Sequence, residues 1–304
     1  MTRDAKTLHR PALHLLALAM VAAFVTIEAE PAQASFPGGN GRIVFSSLTS
    51  EDIVSVNADG TGRRTVLSYG GSPTYSPDGR RIAFSNGGPE QGNDIYVMNA
   101  DGTRVRNLTL RGGDYPYRST QPAWSPDGSK LLFVADDIFV VNVDGSGLRQ
   151  LTTLDSHGIS APTWSPDGKT ILFTRTRTNG DPYWTGVIWA MNPDGTRLRS
   201  LGVNGTDADW SADGTRFLVG SRRSGNLDIY VSNADGSAQR RLADRPQSQD
   251  YDPAWSPDGS RIVFTSQTSS RNSALWVMTA NGGQQRRITT PKLIDFVPSW
   301  QPVP

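Results

Sequence analysis

Five residues, Trp124-Ser125-Pro126-Asp127-Gly128, return along the whole chain. Tyr75-Ser76-Pro77-Asp78-Gly79, Trp164-Ser165-Pro166-Asp167-Gly168, Trp210-Ser211-Ala212-Asp213-Gly214 and Trp255-Ser256-Pro257-Asp258-Gly259 are copies, and Trp300-Gln301-Pro302 is a clipped sixth. The leading aromatics are 49, 40, 46, 45 and 45 residues apart. Self-similarity at that period means one supersecondary unit per repeat, which stacks on its neighbours to bury a core.

Residues 73–110 show what the unit contains. Pro73 to Pro77 reads as a short strand ending in Pro77-Asp78-Gly79, where Pro fixes one backbone angle and Gly accepts a positive one. Arg81-Ile82-Ala83-Phe84 returns as a second strand, Asp94 to Asn99 forms a third, Asp101-Gly102 is its hairpin turn, and Val105 to Leu110 a fourth. Four strands in about 45 residues describe a propeller blade. The third strands, such as Ile138-Phe139-Val140-Val141, are near-continuous apolar runs, which predicts cover on both faces from adjacent blades. The fourth strands carry arginines (Arg63-Arg64, Arg106, Arg149, Arg199, Arg240-Arg241, Arg286-Arg287), as expected of rim strands protected against edge-to-edge pairing.

The ends predict closure. Gly41 to Phe45 matches a second strand, and its missing first strand is supplied only by Val297-Pro298-Ser299-Trp300. The expected fold is therefore all-β: a six-bladed β-propeller with four antiparallel strands per blade, closed by residues 297–302 completing the amino-terminal blade.

Before the repeats, Arg3, Lys6 and Arg10 precede an apolar run from Leu13 to Ile27, then Ala32-Gln33-Ala34. That is the pattern of a secretory signal peptide over 1–34, cleaved before Ser35. Its apolar run falls short of the ~20 residues needed to span a bilayer. The propeller is then 35–304, a length of 270 residues that divides into six units of 45. The expected location is periplasmic or extracellular, with no integral membrane segment after cleavage. Net charge is +1, which gives no case for nucleic acid, and the chain is expected to be a monomer. It has no Cys, hence no disulfide framework, lipid-attachment thiol or thiolate chemistry.

The repeated Pro-x-Trp-Ser-Pro-Asp-Gly, the Ile-x-Phe strand, Asp94-Ile95-Tyr96-Val97-Met98-Asn99 and the Asp-Gly-Thr turns together resemble the WD-like propeller repeat of the TolB family, over residues 40–302. The resemblance implies a fold and a bias toward protein binding. In that family the propeller binds envelope lipoproteins, and a separate amino-terminal domain contacts inner-membrane partners. Here only Ser35 to Asn40 separate the expected cleavage site from the first strand, a departure that puts the family's full role in question.

Strand direction places the repeated turns on one face and the links that differ between blades on the other, where recognition is expected. Three features fall there. Tyr115, Tyr117 and Arg118 are of types that anchor interfaces, and Tyr183 and Trp184 could stack on a partner or a sugar, or fold back as lids over the blades. Asp207, Asp209, Asp250, Asp252 and Asp295 precede strand tryptophans and are candidates for the channel mouth. Carboxylates gathered there could hold Ca²⁺ or a partner's Arg or Lys; the alternative is that each Asp caps its own loop. His157 is the one histidine left after cleavage, and no Gly-x-Ser-x-Gly elbow accompanies it. Asp52, Asp94, Asp137 and Asp228 repeat with the third strands and read as structural. The leading expectation is a non-enzymatic scaffold that binds an envelope or extracellular protein and needs no cofactor. The alternatives are a polysaccharide-lyase-like carbohydrate enzyme, implied by the resemblance, and a Ca²⁺ or small-ligand binder at the channel.

Overall fold

The computed structural model describes residues 38–86, 93–109, 119–153, 158–176, 185–269, 272–290 and 293–304. Its strands form six four-stranded antiparallel sheets. The first blade joins β1 (Gly39–Ser47), β2 (Asp52–Val56) and β3 (Arg64–Leu67) to the last strand, β24 (Asp295–Val303). The second holds β4 (Gly71–Tyr75), β5 (Arg81–Asn86), β6 (Asp94–Asn99) and β7 (Arg106–Asn107), and the third β8 (Thr120–Trp124), β9 (Lys130–Ala135), β10 (Asp137–Asn142) and β11 (Arg149–Gln150). The fourth holds β12 (Ile159–Trp164), β13 (Ile171–Arg175), β14 (Val187–Met191) and β15 (Arg199–Asn204). The fifth holds β16 (Thr206–Trp210), β17 (Arg216–Ser221), β18 (Asp228–Asn233) and β19 (Arg240–Arg241). The sixth holds β20 (Gln249–Trp255), β21 (Arg261–Ser269), β22 (Asn272–Thr279) and β23 (Arg286–Arg287). The expected six-bladed fold is observed, and β24 pairs antiparallel with β1 from Gly39↔Val303 to Ser47↔Asp295.

The core lies between blades rather than within them. Ile43, Phe45, Val54 and Trp300 of the first blade pack with Val263, Leu275 and Val277 of the sixth, and five similar clusters fill the remaining seams. The second-strand phenylalanines Phe45, Phe84, Phe133, Phe173, Phe217 and Phe264 are all fully buried. Each contributes about 1.5–3 kcal/mol through burial. The outer faces of the third strands are covered less completely than their apolar runs predict. Tyr96, Phe139, Trp189 and Trp276 are half-buried, because the short fourth strands leave the rim partly open.

The repeated turns have one hydrogen-bond plan. In the Ser-Pro-Asp-Gly copies the Ser hydroxyl donates to the Asp carboxylate, at 2.6 Å in Ser125–Asp127, and accepts the amide five residues on, at 2.9 Å from Lys130. In the third-to-fourth turns the Asp accepts from the Thr or Ser two residues later, as Asp101 does from both the amide and the hydroxyl of Thr103. These aspartates accept hydrogen bonds within their own turns, which is a structural use. The third-strand aspartates are structural in the same sense: Asp94 accepts from Asn107 and Thr109, and Asp137 from Gln150 and Thr152.

The rim arginines do more than keep edges apart. Arg106 donates to the carbonyls of Val143 and Asp144 in the next blade, Arg149 to Asp194 at 3.0 Å, and Arg286 to Ala58 at 2.8 Å. Each fourth strand concerned thus staples its blade to the following hairpin turn. Among the described residues no helix is long and apolar enough to cross a membrane. The expected signal segment, 1–34, lies outside the described residues.

Candidate functional site: the channel mouth

Every first strand is interrupted at the same place. In the second blade Gly71 pairs with Ser85 and Thr74 with Ala83, so three steps on β4 match two on β5. The same extra residue recurs in all six blades. It sits three positions before the aromatic and has a left-handed backbone: Ser72, Gln121, Ala161, Asp207, Asp252 and Val297 have φ of 49°, 54°, 50°, 55°, 48° and 51°. A bulge of this kind re-aims a side chain, and here it turns one residue per blade toward the axis. All six line a central cavity of about 180 Å³.

Six equivalent backbones therefore present six side chains that are not copies. Two adjacent blades supply Asp207 and Asp252; the others supply a hydroxyl, an amide and two apolar groups. Asp209, two residues past the bulge, also lines the cavity. Its Oδ2 accepts the Trp255 amide at 2.8 Å, and burial pushes its carboxyl up to about 7. Asp207 is raised by burial and partly relieved by the Thr206 hydroxyl at 2.7 Å. Asp252 is raised further, first by burial and then by the charge of Asp207, although the Val297 amide donates to it at 3.1 Å. Two facing carboxyls in so enclosed a place resist ionising together. A cation brought between them would relieve both.

The other expected mouth residues are elsewhere or not described. Asp250 and Asp295 do not line the cavity. Asp295 is clamped by Arg63 at 2.8 and 3.1 Å, and Asp250 accepts from Ser248 at 3.0 Å with Arg245 at 3.9 Å. In a regular strand residues 250 and 252 would share a face. The bulge at Asp252 breaks that alternation and leaves Asp250 turned into its blade. His157, Tyr115, Tyr117, Arg118, Tyr183 and Trp184 lie outside the described residues. Among the described residues no group of three or more His, Cys, Asp or Glu is arranged to hold a metal ion. Sequence reasoning missed Ser72 and Gln121 as neighbours of the acids. Counting three back from each aromatic would have found them.

Comparison with known proteins gives a consistent picture. TolB from Acinetobacter baumannii superposes with a TM-score of 0.72 at 22% identity, covering 86% of this chain and 67% of that one. An oligogalacturonate lyase in complex with manganese superposes with a TM-score of 0.54 at 17% identity, covering 77% and 73%. At such identities the likeness is one of fold. The uncharacterized peptidase YuxL of Bacillus subtilis is 40% identical over 60 residues, which span 20% of this chain and only 8% of that protein. A second curated relative, an uncharacterized protein of Agrobacterium fabrum, is 36% identical over 88 residues and matched over 28% of its length. The TolB beta propeller domain matches residues 29–202 and 199–303, nearly the whole ring, and the chain belongs to that family.

Proposed function

We propose that this protein is an exported, non-enzymatic scaffold of the cell envelope that binds another protein at its channel mouth. The observation that carries this reading is the ring of six bulge residues. The scaffold repeats its backbone six times with a left-handed residue in each copy, yet fills the positions with Ser72, Gln121, Ala161, Asp207, Asp252 and Val297. Turns on the opposite face repeat in sequence as well as in shape. Diversity held on a rigid frame is what recognition needs.

The chemistry of the mouth favours a cationic side chain over a metal as the group received. Asp207, Asp209 and Asp252 line the cavity, but among the described residues no three acids are arranged to hold a metal ion, and Ca²⁺ takes six to eight oxygens. An arriving Arg or Lys would lower the carboxyl pKa values of Asp207 and Asp252 and displace protons, so binding should tighten as pH rises above the ordinary carboxylate range. Membership of the TolB family supports protein binding as the role.

A photo-cross-linking residue at Ser72 or Gln121, compared with one at Ser129 on the turn face, tests the reading in cells that make the protein. One adduct is expected from the mouth positions alone, and Asp207→Asn/Asp252→Asn should weaken it by tenfold or more. Equal adducts from both faces, or a mouth adduct indifferent to that pair, would contradict it. The same preparation tests export: the mature chain should begin at Ser35.

A further inference from the structure

Thirteen residues other than glycine have a left-handed backbone among those described, and the repeat accounts for nearly all of them. Six are the channel bulges. Arg104, Arg197, Ala238 and Gln284 follow the third-to-fourth turns, at the position where the other described copies have Gly62 and Gly147. Asp136 forms the tight turn between β9 and β10, and Asp tolerates this conformation. Glu51, with φ 56°, precedes the third-strand Asp52 as Asp136 precedes Asp137, which leaves Tyr69, with φ 62°, without a counterpart among the described residues of the other blades. Strained backbone that the fold does not require is a pointer to function.

Both residues line one cavity of about 270 Å³ between the first and second blades, on the face of the diversified links. The strain is fixed in place: the Gly70 amide donates to the Glu51 carbonyl at 2.9 Å, and a Cβ on Gly70 would strike Ile53 at 2.8 Å. A second observation converges on the same spot. Of the large apolar side chains left exposed, the two most open are Tyr69 at 65% and Leu48 at 56%, and both line this cavity. Asn86 and Asn93 bring two carboxamides from the second blade, with no hydrogen bond to either side chain among the described residues. Phe296 closes the side toward the axis, and no Lys or Arg is among the described residues that line the cavity.

We infer that this cavity binds a neutral pyranose sugar, its apolar C–H face against the Tyr69 ring and its hydroxyls bonded to Asn86, Asn93 and Glu51. Each carboxamide can both donate and accept, as paired sugar hydroxyls require, and the Glu51 carboxylate accepts only. An aromatic body with a polar tip suits a ligand that is apolar on one face and polar at its edge. The volume lies just under the ~300–1,000 Å³ of small-molecule sites, a fit for one ring rather than an extended chain. The Glu51 carboxylate repels that of a uronic acid, and no Lys or Arg among the described lining residues offsets it. This site is therefore distinct in chemistry from an acidic-sugar lyase, and it does not depend on the protein-binding reading of the channel.

Saturation-transfer NMR of the full chain with methyl glycosides of glucose, galactose, mannose and N-acetylglucosamine, and with galacturonate, tests the inference. Transfer to at least one neutral glycoside is expected, strongest on ring protons of a single face, with none to galacturonate. Tyr69→Gly suits the backbone at that position, so it should abolish transfer while the melting temperature stays within a few degrees; Asn93→Ala should reduce transfer several-fold. No transfer to any neutral glycoside, equal transfer to galacturonate, or a signal that survives Tyr69→Gly would overturn it. Failure here would leave the cross-linking result at Ser72 and Gln121 untouched.

Discussion

The two ends of the channel use the same amino acid in opposite ways. On the turn face, Asp258 is exposed; the slight burial it has pushes its carboxyl up, but hydrogen bonds from Ser256, Ser260 and Asn40 outweigh that and bring it down to about 2. At the mouth, Asp209 has one amide donor for a largely buried carboxyl, and it rises to about 7. The turn aspartates recur in five copies of the pentapeptide and each is satisfied by its own turn. The mouth aspartates have no such recurrence. Where the ring repeats a residue the scaffold uses it; where the ring departs from its repeat, the residue has been left for something else.

Ring closure underlies both regions, so its loss should have the largest effect. Deleting residues 296–304 removes most of β24, strips β1 of its partner and opens the seam containing Trp300. Both faces should fail together, with cooperative unfolding replaced by a broad, low transition in calorimetry. A truncated protein that melts as sharply and as hot as the full chain would break the comparison at its base.

Asp209→Asn should sharpen it. A carboxyl whose folded pKa is raised binds more protons folded than unfolded, so its contribution to stability declines as pH rises from about 3.8 to about 7. Asparagine can still accept the Trp255 amide and never ionises. The variant should gain ~2–4 kcal/mol over the native protein at pH 8 and little at pH 4, read from urea midpoints. A gain of the same size at both values would mean that charge is not the cause.

Asp258→Asn should act with the reverse sign and a smaller size. Its lowered carboxyl stabilises the fold above the unfolded pKa of 3.8, and that stability is lost as pH falls toward about 2. Solvent screens this exposed carboxylate, so the variant should lose only about 0.5–1 kcal/mol at neutral pH and match the native protein in strong acid. If it gained stability at neutral pH, the turn and mouth aspartates would not differ as described.

Much of this fold is legible in the sequence because a repeat states the same information several times. Six aromatic-led motifs fix the blade count, and the displaced first strand at Trp300 announces closure. The site is less legible for the same reason. Whether Asp250 or Asp252 reaches the axis depends on a single extra residue in the strand, which alternation alone assigns wrongly. The arginine staples are equally hidden, since Arg106 and Val143 are brought together only by blade stacking. The cavity of Leu48, Tyr69 and Asn93 draws on links from two blades that share no sequence motif. Local pattern reveals what each blade does for itself, and little of what adjacent blades make between them.

The contrast between the two faces can be measured on one sample by titrating side-chain carboxyl carbons of Asp209 and Asp258 in the ¹³C NMR spectrum. Midpoints near 7 are expected for the mouth residue and near 2 for the turn residue. Both titrating together near the unperturbed value of ~3.9 would contradict it.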